Sequence, residues 1–205
     1  MKKAFTLVEM LVVIGIVAAL AGASLVGFRS VVNKAQEAKA QELVHEVATA
    51  LTAVLQSEDG WPRTILSEGS SGNGEMTPSV GAALARRNAM SLTYRTTTDN
   101  QGTTRYELTG LDQCGIVSPW AQDVIKRLAA RGSVSLSEKV PSGGTIKDHR
   151  LRFAIDDDLD GFVKASPEGY GSVKVRASAI VWCAGRDGKF GTKDDIRSWA
   201  KGQED

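Results

Sequence analysis

Between Phe5 and Phe28 the chain reads FTLVEMLVVIGIVAALAGASLVGF, 24 residues with one charge, Glu9. As a helix this stretch spans about 36 Å, enough to cross the hydrocarbon core of a bilayer. Lys2 and Lys3 precede it, which sets the N-terminus on the cytoplasmic side and everything after Phe28 on the other. A secretory signal peptide has a shorter apolar run, about 7–15 residues, followed by a small-residue cleavage site. This run is too long for that. A carboxylate inside it is costly unless it finds a partner, so Glu9 needs a functional reason.

Composition excludes several classes. With 25 Lys and Arg against 24 Asp and Glu among 205 residues, there is no excess of positive charge to suggest a nucleic-acid surface. The hydrophobic share of 42% argues against disorder. Two cysteines, Cys114 and Cys183, cannot build a Cys₄ zinc site but allow one disulfide in an oxidising compartment. That bond is expected here, tying the middle of the chain to its last long strand. No enzyme signature is visible: His45 and His149 lack an adjacent nucleophile motif, and there is no phosphate loop or GxSxG. The chain is read as a non-enzyme, with His45 a structural residue.

Ala4-Phe5-Thr6-Leu7-Val8-Glu9-Met10-Leu11-Val12-Val13 resembles the N-terminus of type IV prepilins and type II secretion pseudopilins. The resemblance implies that a prepilin peptidase cuts between Ala4 and Phe5 and that the new Phe5 amino group is methylated. Ala4 departs from the glycine usual before the cut. Glu9 becomes the fifth mature residue, where its carboxylate can meet the amino terminus of a neighbouring mature chain and set axial register in a filament, as buried polar groups do in coiled coils. Its presence fits a core subunit. Losing MKKA removes two lysines, leaving 23 basic and 24 acidic residues and turning +1 into −1.

The expected organisation is therefore a cleaved leader at 1–4, a transmembrane or filament-core half-helix at 5–28, an amphipathic half at 29–57 and a periplasmic head at 58–205. Leu43, Val44, Val47, Leu51, Val54 and Leu55 recur at helical spacing, and no proline precedes Pro62, so one helix of roughly 80 Å is expected from Phe5 to Ser57. Within the head, 58–148 is a variable loop region and 149–205 a β-sheet plus acidic loop. Residues 58–75 read as loop. Thr77-Pro78 and Ser118-Pro119 each announce a helix. Alternation around Asp99-Asn100-Gln101-Gly102 suggests a hairpin. Leu151, Phe153 and Ile155 alternate with Arg150, Arg152 and Ala154, and a longer alternation runs from Val173 to Cys183. An α+β fold follows: a long N-terminal helix packed on one face of a small antiparallel sheet, the pilin-like architecture that the resemblance also implies.

Two acidic loops are candidate metal sites. Gly185-Arg186-Asp187-Gly188 through Asp194-Asp195-Ile196 to Ser198-Trp199 can offer carboxylates and backbone carbonyls, the hard oxygen donors that Ca²⁺ prefers. It resembles the C-terminal calcium loop of the major type II secretion pseudopilin, which implies Asp187, Asp194 and Asp195 as ligands. Asp156, Asp158, Asp160 and Gly161 match the first positions of an EF-hand loop, but the closing Glu is missing and strands flank it. An exposed Asp-Gly turn is the reading there, with a degenerate Ca²⁺ turn the alternative.

The functions implied are a type II secretion pseudopilin, polymerised into a short periplasmic pseudopilus that drives export, or a type IV pilus pilin serving adhesion, motility or DNA uptake. The implied partners are further copies of the chain, other pseudopilins, the prepilin peptidase, an inner-membrane assembly platform and, before assembly, the lipid bilayer.

Overall fold

A computed structural model describes residues 7–98 and 103–200, without the side chains of residues 21–27, 29, 105, 107 and 111. The chain divides into two compact units, 1–38 and 39–205. Helix α1, Leu7–Ser57, supplies the first unit and enters the second. It ends where expected: beyond Ser57 come Asp59 and Gly60, whose φ of 154° leaves the helical region, and then Pro62.

In the second unit α1 buries Ala40, Val44, Val47, Ala50, Leu51 and Val54, one stripe at three- and four-residue spacing. The expected stripe is thus largely right, although Leu43 and Leu55 are only half-buried. After α1 come α2 (Arg63–Gly69), β1 (Gly74–Glu75) and α3 (Pro78–Arg86). The loop expected over 58–75 is therefore wrong. Its glycines and serines mask a short helix anchored by buried Ile65 and a two-residue strand that pairs with β4. Gly74 is there for space, since a Cβ would lie 2.5 Å from the Glu68 carbonyl oxygen.

Helix α3 begins as expected, with Thr77 Oγ1 accepting the Val80 N–H at 3.4 Å. Strands β2 (Tyr94–Thr98) and β3 (Thr104–Leu108) form the expected hairpin, whose turn at 99–102 lies outside the described residues. A 3₁₀ turn, Gly110–Asp112, precedes α4 (Pro119–Ala129). The remaining strands are β4 (Arg152–Ile155), β5 (Val163–Ala165), β6 (Val173–Val175), β7 (Ala179–Cys183) and β8 (Ile196–Arg197).

The main sheet is antiparallel with order β1-β4-β7-β8, and β5 and β6 form a separate ribbon. The sheet is buried on both faces, not one. Phe153, Ile155, Val181 and Cys183 join the α1 stripe in the larger core. Ala154, Ile180 and Trp182, on the opposite face, pack with Val163, Val173, Val175 and Trp199 in a second. The single alternation expected from Val173 to Cys183 breaks at 176–178, so Val173 and Val175 enter the second core while Val181 and Cys183 enter the first. Period-two patterning locates two faces but does not say which one is covered.

Candidate functional site

The cleavage pair, Ala4 and Phe5, lies outside the described residues. Glu9 sits in the first turn of α1, among apolar side chains open to the surroundings. The ten large apolar residues between Leu7 and Leu20 are each 51–81% exposed, and they occur on all sides of the helix. A helix apolar all round is one that is buried in use, in a bilayer or among other helices. Among the described residues no helix is long and apolar enough to cross a membrane; the expected span 5–28 lies partly outside them.

At the far end of the chain the acidic loop closes on itself. Asp195 Oδ2 accepts the N–H groups of Gly191 at 2.7 Å and Thr192 at 3.4 Å, together with the Tyr170 hydroxyl. Asp195 Oδ1 takes the Gly185 N–H at 3.4 Å and lies 3.0 Å from the Thr192 hydroxyl oxygen, whose one proton goes to the nearer Asp194. Asp194 accepts from the Thr192 hydroxyl at 2.6 Å and from the Asp187 N–H at 3.2 Å. Asp187 turns to the Lys189 N–H at 2.9 Å. Burial would raise the Asp194 carboxyl, but these donors and the N–H groups of Asp194 and Arg186 hold it below the usual carboxylate range. Conversely, burial and the neighbouring Asp195 raise the Tyr170 hydroxyl. Gly185 permits this closure: a Cβ there would lie 2.3 Å from the Asp194 carbonyl oxygen.

These carboxylates thus stand in for backbone pairing in a segment too irregular for a ladder. Among the described residues three carboxylates come within 4.8 Å of one another only at Asp156, Asp158 and Asp160, not at Asp187, Asp194 and Asp195. In this arrangement the carboxylates of the C-terminal loop are aimed at N–H groups of their own segment.

The Asp156 cluster already holds a cation of its own. Lys164 Nζ lies 2.7 Å from Asp158 and 2.6 Å from Asp160. Asp156 accepts the Asp160 and Gly161 N–H groups at 3.1 and 2.7 Å. The Lys164 ammonium holds Asp158 low, whereas burial pushes Asp156 up. The residues form the expected Asp-Gly turn, with Lys164 neutralising it.

Cys114 and Cys183 are both buried free thiols, so the expected disulfide is not formed. Each packs as a small apolar residue in the larger core. Burial raises the Cys114 thiol and lifts that of Cys183 to about 12.

Two polar arrangements escaped the sequence reading. Ser118, expected only as a helix cap, makes no capping bond. Its hydroxyl lies 2.9 Å from His149 Nδ1, and both side chains are fully buried. His149 Nε2 lies 2.9 Å from the Gly143 carbonyl oxygen, which requires the proton on Nε2 and leaves Nδ1 to accept from Ser118. With no exposure, this is a clamp joining α4 to the 143 loop. Burial depresses the His149 pKa, outweighing the pull of Gly143, Asp148, Asp187 and Asp194. The folded state therefore binds fewer protons than the unfolded chain below about pH 6.5, and stability present above that value is lost as pH falls. The melting temperature should drop between about pH 7 and pH 5, and His149→Gln should flatten the drop; an equal slope in the variant would contradict the clamp.

The second arrangement is Glu75 between Arg150 and Arg152, each guanidinium 3.1 Å from one carboxylate oxygen. Alternation placed both arginines on an exposed face. Arg150 is in fact buried, its Nε donating to the Cys114 carbonyl oxygen at 2.7 Å. No local signal marks a partner 75 positions away.

The prokaryotic N-terminal methylation motif matches residues 1–25. It marks a type IV pilin-like N-terminus, which implies processing by prepilin peptidase and pilus-like polymerisation and suggests anchoring in a membrane. The α+β head, with its N-terminal helix and small antiparallel sheet, is compatible with a pilin-like fold. Searches of curated proteins and of solved structures returned no match.

Proposed function

We propose that this chain is a pseudopilin of a type II secretion system, held in the inner membrane until cleaved before Phe5 and then added to a short periplasmic filament that drives protein export. The observation that carries the reading is the methylation motif on a helix whose first half exposes apolar side chains all round and whose second half is built into the core of the head. Such a helix serves first as anchor and then as filament core, with Glu9 as the register charge. No catalytic role is assigned to the chain. The similarity of the 185–199 loop to that of the major pseudopilin favours secretion over a surface pilus, the alternative. Deleting the gene should abolish export of the host's secreted enzymes and leave surface filaments and twitching intact; the reverse pattern would make the chain a type IV pilus pilin.

We assign the rigidity of the C-terminal loop to its own N–H and Tyr170 hydrogen bonds rather than to calcium. A site saturated about a hundredfold above its Kd adds about 2.7 kcal/mol, which raises the melting temperature of a chain this size by roughly 5–10 °C. The expectation is that calcium and EDTA leave the melting temperature of the head unchanged. A calcium-dependent rise of that size would instead make Asp187, Asp194 and Asp195 ligands.

A further inference from the structure

The geometry points to a binding site for a phosphate monoester in the concavity between α2, α3 and β3. A cavity of about 580 Å³ opens there, lined by Arg63 and Thr64 of α2, Ser79, Arg86 and Arg87 of α3, and Tyr106 of β3. That volume lies within the range of small-molecule sites. Three guanidinium groups meet one described carboxylate, Glu58, which accepts from Arg87 Nε and, at 3.3 Å, from Arg87 Nη2. Three positive charges less one leave +2 in a concave wall, where the field is focused. Among the described residues Arg63 and Arg86 form no ion pair.

Two of the three groups are already held in place. The Arg86 guanidinium stacks 4.5 Å over the Tyr106 ring centroid, and Arg87 Nη1 donates to the Ala83 carbonyl oxygen at 3.0 Å. Little ordering is therefore required on binding. A phosphate monoester carries about −1.5 to −2 at neutral pH, which matches the local charge where a single carboxylate would not. Guanidinium forks suit its oxygens, and the exposed hydroxyls of Thr64 and Ser79 add donors. Pro62, Ala83 and the Tyr106 ring leave an apolar wall for the esterified carbon. The same group could be presented by a soluble phosphate ester or by a lipid headgroup.

The test is ³¹P NMR titration of the full chain in zwitterionic detergent at about 0.15 M salt, an ionic strength that screens casual surface attraction. One arm adds glycerol 1-phosphate and the other dopes the micelles with phosphatidic acid. A saturable shift is expected, weakened about tenfold or more in the Arg63→Ala/Arg86→Ala double variant, since a charge-assisted hydrogen bond contributes roughly 1.5–3 kcal/mol. Both arginines are exposed, so the fold should survive, and an unchanged melting curve checks that it has. Saturation by glycerol 1-phosphate supports the site with a soluble ester as its ligand, and saturation only in doped micelles supports it with a headgroup. No saturable shift in either arm, or an undiminished one in the folded double variant, overturns the site.

Discussion

A Glu9→Ala chain should be cleaved and methylated normally, yet should fail to enter filaments. The expected cut before Phe5 precedes Glu9 in the chain, so the mass of the mature N-terminus should differ from the wild type only by the Glu-to-Ala substitution. Assembly is different. In the proposed filament, packing α1 among its neighbours would withdraw both the Glu9 carboxylate and the Phe5 amino group of the next chain from water. Removing one member of a buried ion pair leaves the other uncompensated, at about 3–5 kcal/mol. That is roughly a 10²–10⁴-fold loss in the affinity of each added subunit, and a filament needs many additions. The measurement is sedimentation of cross-linked filaments beside mass spectrometry of the N-terminus. Wild-type pelleting by the variant would remove Glu9 from the register role. Glu9→Gln, which keeps shape and a hydrogen bond but not charge, should assemble better than Glu9→Ala and worse than wild type.

The head should be comparably sensitive at Glu75. Its carboxylate is the shared partner of Arg150 and Arg152, and their three side chains are only 20%, 8% and 16% exposed. Glu75→Ala strands two guanidinium groups in a largely dry site, an expected loss of about 3–5 kcal/mol. For a chain of this size the melting temperature should fall by roughly 6–20 °C. Adding Arg150→Met should recover part of the loss, because one stranded charge is then gone, and coupling of that sign is what a shared site produces. A loss below about 1 kcal/mol for Glu75→Ala would mean that water reaches the pair and the strand pairing Glu75↔Arg152 holds without it.

The elements legible in the sequence are those dictated by short-range rules. Helix α1 stops at Ser57 because the residues after it cannot continue a helix, and α3 starts at Pro78 because Thr77 can cap it. Phe5 and Glu9 stand out because one charge in an apolar run is conspicuous in any context. The Asp156–Gly161 turn was also foreseen, but its neutralising Lys164 was not, because that ammonium arrives from strand β5.

What the sequence by itself determined is the division of labour: an apolar helical segment that must be enclosed by lipid or by copies of itself, followed by an α+β head with a helical stripe and late strands. Periodicity and charge position carry that information within a few helical turns. Only the tertiary structure decided that the sheet is covered on both faces, that Glu75 answers two arginines, that Ser118 clamps His149, and that Asp194 and Asp195 bind their own backbone. The physical reason is distance along the chain. Each of these depends on which segments meet across tens of residues, and the cost of burying a charge or a hydroxyl is met only by a partner that folding brings to it.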